Sequence, residues 1–238
     1  MKGLLVPDAA LKLPSTFGVN DHFAGLNSAI WTSTLTDSGT AAVGDEVGGV
    51  LTISPSDGTA ADNDEAYVAT KELFKIAAGK PISFEALCQF SQAATNAANV
   101  YAGLMDGVAA NALQDAGAGP KSSFSGAGFF AKDGSTLWNV IYSDGSTQTI
   151  AELSATNSLN KQANTAASAA FQLLEIDIIP KTSSLVDVIF KINGSTVYKM
   201  LDRTYANATE TSAMLGAKNG TAAQQAVKFD GVACNQAV

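Results

Sequence analysis

A chain of 238 residues is long enough for one large β domain, and its 46% hydrophobic content suffices for a buried core, although much of it is alanine. A formal net charge of -8, with no cluster of Lys or Arg, argues against nucleic acid as partner, because phosphate binding requires clustered cations that displace counterions. Charged residues at only 15% leave a surface of Ala, Ser, Thr, Asn and Gly, which suits protein packing on protein and equally suits a soluble secreted or virion-type β domain.

Residues 1–20 differ from the rest. Leu4, Leu5, Val6, Leu11 and Leu13 are spaced irregularly between and around Pro7 and Pro14, and they read as an extended arm that docks on a neighbouring subunit. The opening MKGLLVPDAALKLP is too short for a signal-peptide core and far too short to span a bilayer, so neither secretion by the usual route nor a membrane is expected. The body, residues 21–238, starts with Phe23, Leu26, Ile30 and Trp31 anchoring a first strand and its turn. Val50, Leu51 and Ile53 make the next, closed by the turn signal Pro55-Ser56-Asp57-Gly58. An acidic loop leads to Tyr67 and Val68, then to a strand at Leu73, Phe74 and Ile76. Ile82, Phe84, Ala86, Cys88 and Phe90 line one face of a further strand, and Val100 to Met105 adds another.

Ala109 to Ser122 is Ala/Gly-rich and reads as a long loop with one short helical turn around Ala112 to Asp115. A meander follows through Phe129-Phe130, Leu137 to Tyr142 and Thr147 to Ile150, with Asp133-Gly134 and Asp144-Gly145 as hairpin signals. Ala151 to Ala170 reads mostly as loop. From Phe171 to Leu201 the period is two: Leu174, Ile176 and Ile178 alternate with Glu175 and Asp177, and Val186, Val188, Phe190 and Ile192 alternate with Asp187 and Lys191. Asn193-Gly194 then supplies a tight turn in which both residues take positive φ. Met214-Leu215 and the stretch Val227 to Cys234 close the chain. No repeat of 20 to 50 residues is present. Many short strands without a long helix predict an all-β, antiparallel sandwich of the jelly-roll type.

The candidate chemistry is sparse. Glu175 and Asp177 project from one sheet face, and glycoside hydrolysis needs two carboxyl groups about 5 to 10 Å apart. One family of sandwich glucanases carries E-x-D-x-E or E-x-D-x-x-E on such a strand. Ile179 and Pro180 stand where the last glutamate should be, so no catalytic residue is assigned. Asp57, Asp62, Asp64 and Glu65 match no defined calcium loop and read as an exposed acidic loop, and no metal or cofactor is expected. His22 is the single histidine and has no nucleophile beside it. Cys88 and Cys234 make neither a disulfide framework nor a cysteine-based zinc site, and Cys88 reads as a buried free thiol. Trp31, Trp138, Tyr101 and Tyr142 could stack on sugar rings, but core packing is the default. Asn193, Asn207 and Asn219 begin sequons that carry no weight without a signal peptide.

The order of these signals, an opening D-x-F with Trp31 after it, GGVLTIS, KPISFEALCQF, the E-x-D strand and VIFKINGSTV, resembles concanavalin-like (LamG-type) sandwich domains. Stretches such as DNDEAY, AAGKPISFEA, NVYAGLMD and GAGPKSSFSGAGFF are similar to structural proteins encoded beside tailed-phage capsid genes, a likeness spanning about Asp21 to Cys234. The resemblance implies a capsid decoration or cement protein, located on the outer surface of the virion. Its implied partner is the major capsid protein, and a homotrimer would suit quasi-threefold positions. The alternative is a glycan-binding module using the sheet face that bears Glu175 and Asp177.

Overall fold

The structure is a computed structural model that describes residues 16–56, 59, 61, 64–90, 99–154, 156, 158–159, 166–205, 209–220 and 226–238. The described residues form β1 (Thr16–Asp21), β2 (Trp31–Thr36), β3 (Thr40–Val43), β4 (Leu51–Ser54), β5 (Glu65–Thr70), β6 (Phe74–Lys75), β7 (Ile82–Gln89) and β8 (Val100–Met105). After a 3-10 turn at Asp115–Gly117 come β9 (Ser125–Ala131), β10 (Asn139–Asp144), β11 (Gln148–Glu152) and β12 (Gln172–Pro180). The last four are β13 (Leu185–Ile192), β14 (Ser195–Thr204), β15 (Glu210–Lys218) and β16 (Val227–Ala237). They build two antiparallel sheets stacked as a sandwich, the expected all-β architecture. The first sheet runs β14-β13-β12-β7-β16-β4-β3, with β1 also on β16; the second runs β11-β10-β9-β8-β15-β5-β2, with β6 also on β15.

Alternation decides the first sheet. Leu174, Ile176 and Ile178 of β12, with Val186, Val188, Phe190 and Ile192 of β13, are fully buried against the second sheet. The turn into β14 has the expected geometry, with φ of 51° at Asn193 and 76° at Gly194. Ile82, Phe84, Ala86 and Cys88 face the same core. Its centre is aromatic: Phe129 meets Phe190 edge-on at 5.4 Å between centroids and Trp138 at 6.4 Å.

The second sheet obeys a different rule. Strands β5, β8 and β9 are buried at every residue, because both of their faces are covered. Val68, Leu104 and Phe129 point into the sandwich, whereas Tyr67, Tyr101, Met105, Phe130, Ile141 and Met214 form a second core under Ala112, Leu113 and Phe124. The long loop is thus a cover, and its helical turn lies at Asp115–Gly117, displaced from the expected Ala112 to Asp115. Gly128 and Gly216 make room for it: a Cβ at either would strike the ring of Tyr101 or Tyr67.

Other expectations are corrected. Strands β2 and β3 carried no apolar alternation, since they are sheet edges with little to bury. Leu73 is exposed and precedes the two-residue β6, whereas Phe23, with φ of 53°, lies buried in the connection ahead of the strand that starts at Trp31. At the two Asp-Gly turns only the glycines, Gly134 and Gly145, take positive φ, so neither is the two-residue turn of Asn193-Gly194. In the β10–β11 turn the Asp144 carboxylate instead accepts the amides of Ser146 and Thr147. Thr16–Asn20, the end of the segment read as an arm, belongs to β1, laid antiparallel on β16 from Thr16 opposite Ala237 to Asp21 opposite Val232. Leu4, Leu5, Val6, Leu11 and Leu13 lie outside the described residues.

Removing the inter-sheet aromatic contact tests this core. Phe190→Ala should cost about 3–5 kcal/mol in urea unfolding, the range for a fully buried aromatic. A midpoint unchanged from the parent chain would show that Phe129 and Phe190 are not the centre of the packing.

Candidate functional site

Two places concentrate polar chemistry. One is the outer face of the first sheet. Glu175 lies directly opposite Glu85 of β7 and Lys191 of β13, and Asp177 lies opposite Ser83. Lys191 Nζ contacts Asp177 Oδ2 at 2.6 Å. That hydrogen bond holds the Lys191 ammonium above the ordinary lysine range, with Asp177, Glu175 and Glu85 adding charge attraction. Glu175 Oε2 accepts the Gly194 amide at 2.7 Å, so this carboxylate braces the turn between β13 and β14. Ile179, 40% exposed, follows Asp177 on the same face where a third carboxylate would complete a glucanase pattern. Glu85 is the residue the sequence reading missed; its alternation with buried Phe84 and Ala86 was the available signal. It is exposed.

Small residues floor this face between β12 and β1. A hollow of about 320 Å³ is bounded by His22, Glu85, Leu87, Leu173 and Ala233, and a second of about 310 Å³ by Thr16, Ser83, Asp177, Ile179 and Ala237. By strand register the two lie end to end, on consecutive rows of β12, β7, β16 and β1. His22 is exposed at the head of this trough, its ring packed over Gly231.

The other place is buried. Lys218, with no exposed side-chain surface, ends β15 with Nζ 2.7 Å from Asp115 Oδ1, 3.4 Å from Glu65 Oε2 and donating to Asn111 Oδ1 at 2.7 Å. Glu65 also accepts the Asn111 amide at 3.0 Å and the Tyr67 hydroxyl at 2.7 Å, and Tyr67 in turn accepts the Leu113 amide at 3.2 Å. Burial, and then the carboxylate of Glu65, push the Tyr67 hydroxyl far above the usual tyrosine range, so it is a fixed donor. Asp64 Oδ2 caps the Ala61 amide at 2.8 Å. Asp64 and Glu65 are therefore 2% and 1% exposed, which corrects the reading of an exposed acidic loop. Asp57 and Asp62 lie outside the described residues. Among the described residues no group of three or more His, Cys, Asp or Glu side chains is placed to hold a metal ion.

The four aromatics weighed as sugar platforms all face inward. Trp31 Nε1 donates to Asp21 Oδ2 at 2.7 Å, Trp138 Nε1 to Gln172 Oε1 at 3.1 Å, Tyr101 to the Leu104 carbonyl at 2.8 Å and Tyr142 to the Thr204 carbonyl at 2.7 Å. Each ring is buried, so none is available to a sugar. Asn193 sits in its turn, Asn219 is buried, and Asn207 lies outside the described residues.

No protein-family profile matches the chain, and no curated protein matches it in sequence. Solved structures match it in fold. An endo-β-1,4-glucuronan lyase from the fungus Trichoderma reesei superposes with TM-score 0.60 at 12% identity, over 92% of this chain and 94% of its own. Peanut lectin gives 0.58 at 9% identity over 93% and 97%, and an endo-1,3-β-glucanase from Streptomyces sioyaensis gives 0.57 at 13% over 94% and 98%. Identities this low carry the fold alone, and one sandwich serves lyase, lectin and glucanase alike. The chain has the concanavalin-like, legume-lectin-like β-sandwich fold.

Two outcomes follow from the buried groups. Lys218→Met should destabilise by about 3–5 kcal/mol, because Glu65 would be left as a buried carboxylate without its cation, and a Lys218→Met/Glu65→Gln double variant should recover part of the loss in the same urea melts. An additive double variant would refute the pairing. Burial also raises both cysteine thiols well above their ordinary range. A thiol reagent at mildly alkaline pH should label neither Cys88 nor Cys234 in the native chain and both in strong denaturant.

Proposed function

We propose that the chain is a virion structural protein, a decoration or cement protein that binds the outside of a tailed-phage head and ties neighbouring subunits together by contact alone. The observation that carries this reading is where the chemically able side chains go. The tryptophans and tyrosines singled out above are internal, Asp177 and Glu175 brace neighbouring strands, and the outer face of the second sheet is closed by its own loop. An open sheet face and strand edges remain for a partner. Cementing needs no reactive group, only contact area repeated over many copies. The similarity to proteins encoded beside capsid genes supports the major capsid protein as that partner. A homotrimer fits a quasi-threefold position, and Leu4, Leu5, Val6, Leu11 and Leu13 are the part that reaches a neighbour.

A glycan-binding module is the second reading, favoured by the two hollows, one bounded by Glu85 and the other by Asp177, and by the lectin-like fold. It is the weaker one, because among the described residues no tryptophan or tyrosine is exposed to stack on a sugar ring.

Heads of the phage that encodes the chain, heated with and without it, decide between them. The cement reading expects intact chain to bind heads and raise the temperature at which they open, and expects deletion of residues 1–15 to reduce both effects. A deleted chain that binds and protects as well as the intact one would remove the arm from the mechanism. On a glycan array the chain should be silent; binding lost in Glu85→Gln would favour the lectin reading instead. β-Glucan hydrolysis abolished by Glu175→Gln would overturn both.

A further inference from the structure

The trough on the outer face of the first sheet carries an unbalanced charge. Glu85 stands directly across from Glu175, and like charges opposite one another on a sheet repel. Asp177 holds the Lys191 ammonium and Glu175 holds the Gly194 amide, while Glu85 has no hydrogen bond or ion pair among the described residues. The floor is low. Ser83, Ala233 and Asn235 are small or short, and at Gly18 a Cβ would strike the backbone of β16, so no side chain rises there. From Leu173 to Ile179 is six residue steps of β12, a length of about 20 Å at the strand rise of about 3.3 Å.

We propose that this trough receives residues 1–15 of a second copy of the chain, an exchange that rests on the contact-based reading above. Place is the first argument. Thr16 borders the lower hollow, and β1 runs from there along β16 to Asp21 at the other end. Residues 1–15 therefore join the sheet at the Thr16 end of the trough. Length is the second. Fifteen residues extend to about 50 Å, and a trough of about 20 Å takes about six of them, leaving the remainder to cross between copies. Chemistry is the third. The segment brings aliphatic Leu4, Leu5, Val6, Leu11 and Leu13 to walls made by Leu87, Leu173 and Ile179. It also brings Lys2 and Lys12 against a single Asp8 to the carboxylates of Glu85, Glu175 and Asp177, beside which stand Lys191 and, one strand further out, Lys199. An identical arm given by each copy and received by the next is a head-to-tail contact, which closes a symmetric ring where the rotation between copies divides a full turn.

The test uses the full chain with a photoreactive benzoylphenylalanine in place of Leu5. Light and heavy-isotope copies are mixed, irradiated without any capsid present, and the products mapped by mass spectrometry. Products joining light to heavy copies are expected, landing in residues 81–87, 173–179 and 231–237. Glu85→Lys should lower their yield about tenfold without lowering the melting temperature, because it replaces a like-charge pair with Glu175 by an opposite-charge one. Ala233→Arg, which fills the floor, should do the same. Products confined to one copy, products scattered over other surfaces, an absence of products, or a Glu85→Lys yield equal to the parent would each overturn the proposal. Heads that fail to bind the chain would sink the capsid reading and leave a light-to-heavy result standing; heads that bind it without such products would do the reverse.

Discussion

A single buried ammonium determines which surface of this sandwich is left open. Lys218 ends β15 inside the molecule, where an unpaired cation would be strongly disfavoured, and the groups that satisfy it come from three places: Glu65 on β5, Asn111 and Asp115 on the loop. The loop is therefore held at its middle, and Lys121 holds it further along by donating to the Asp106 and Gly107 carbonyls at 3.0 and 2.9 Å. It sets Leu113 and Phe124 on Tyr67 and Tyr101 and covers the centre of the second sheet's outer face. The first sheet has no such cover among the described residues.

This asymmetry also explains how much could be read from residues alone. A sheet with one dry and one wet face alternates, so β7, β12 and β13 were legible to the residue, as was the Asn193-Gly194 turn. A sheet dry on both faces does not alternate. Val100 to Met105 read as a strand and of Ser125–Ala131 only Phe129-Phe130 did, and nothing local showed that Gly128 exists to seat a tyrosine ring from the neighbouring strand. Asp64 and Glu65 were misread for the same reason: in sequence they belong to an acidic run, and their burial depends on Lys218, more than 150 positions away. The trough was half legible. Glu175, Asp177 and the blocking Ile179 stood in one strand, but Glu85 joins them only through the β7–β12 register.

The same contrast bears on function. Structures of this fold include a lyase, a lectin and a glucanase. Here one outer face is covered at its centre by a loop, while the other carries Glu175 and Asp177 engaged by neighbouring strands and a Glu85 carboxylate without a side-chain partner among the described residues. In a composition poor in charge and rich in Ala, Ser and Thr, these acidic groups stand out against a largely neutral surface.

The pairing of β1 with the end of β16 has a mechanical corollary. Thr16 and Ala237 are partners, so the two ends of the described chain emerge side by side from one end of the same two-stranded ladder. The hydrogen bonds of an antiparallel pair run perpendicular to the strands. A force that draws the arm away from the C-terminus would load those bonds one after another, as a zipper, instead of shearing them together. Such a ladder gives way at lower tension than one loaded in shear, and it shares that load with β7, because Gln236 lies opposite Ile82 and the Ala237 amide donates to the Pro81 carbonyl.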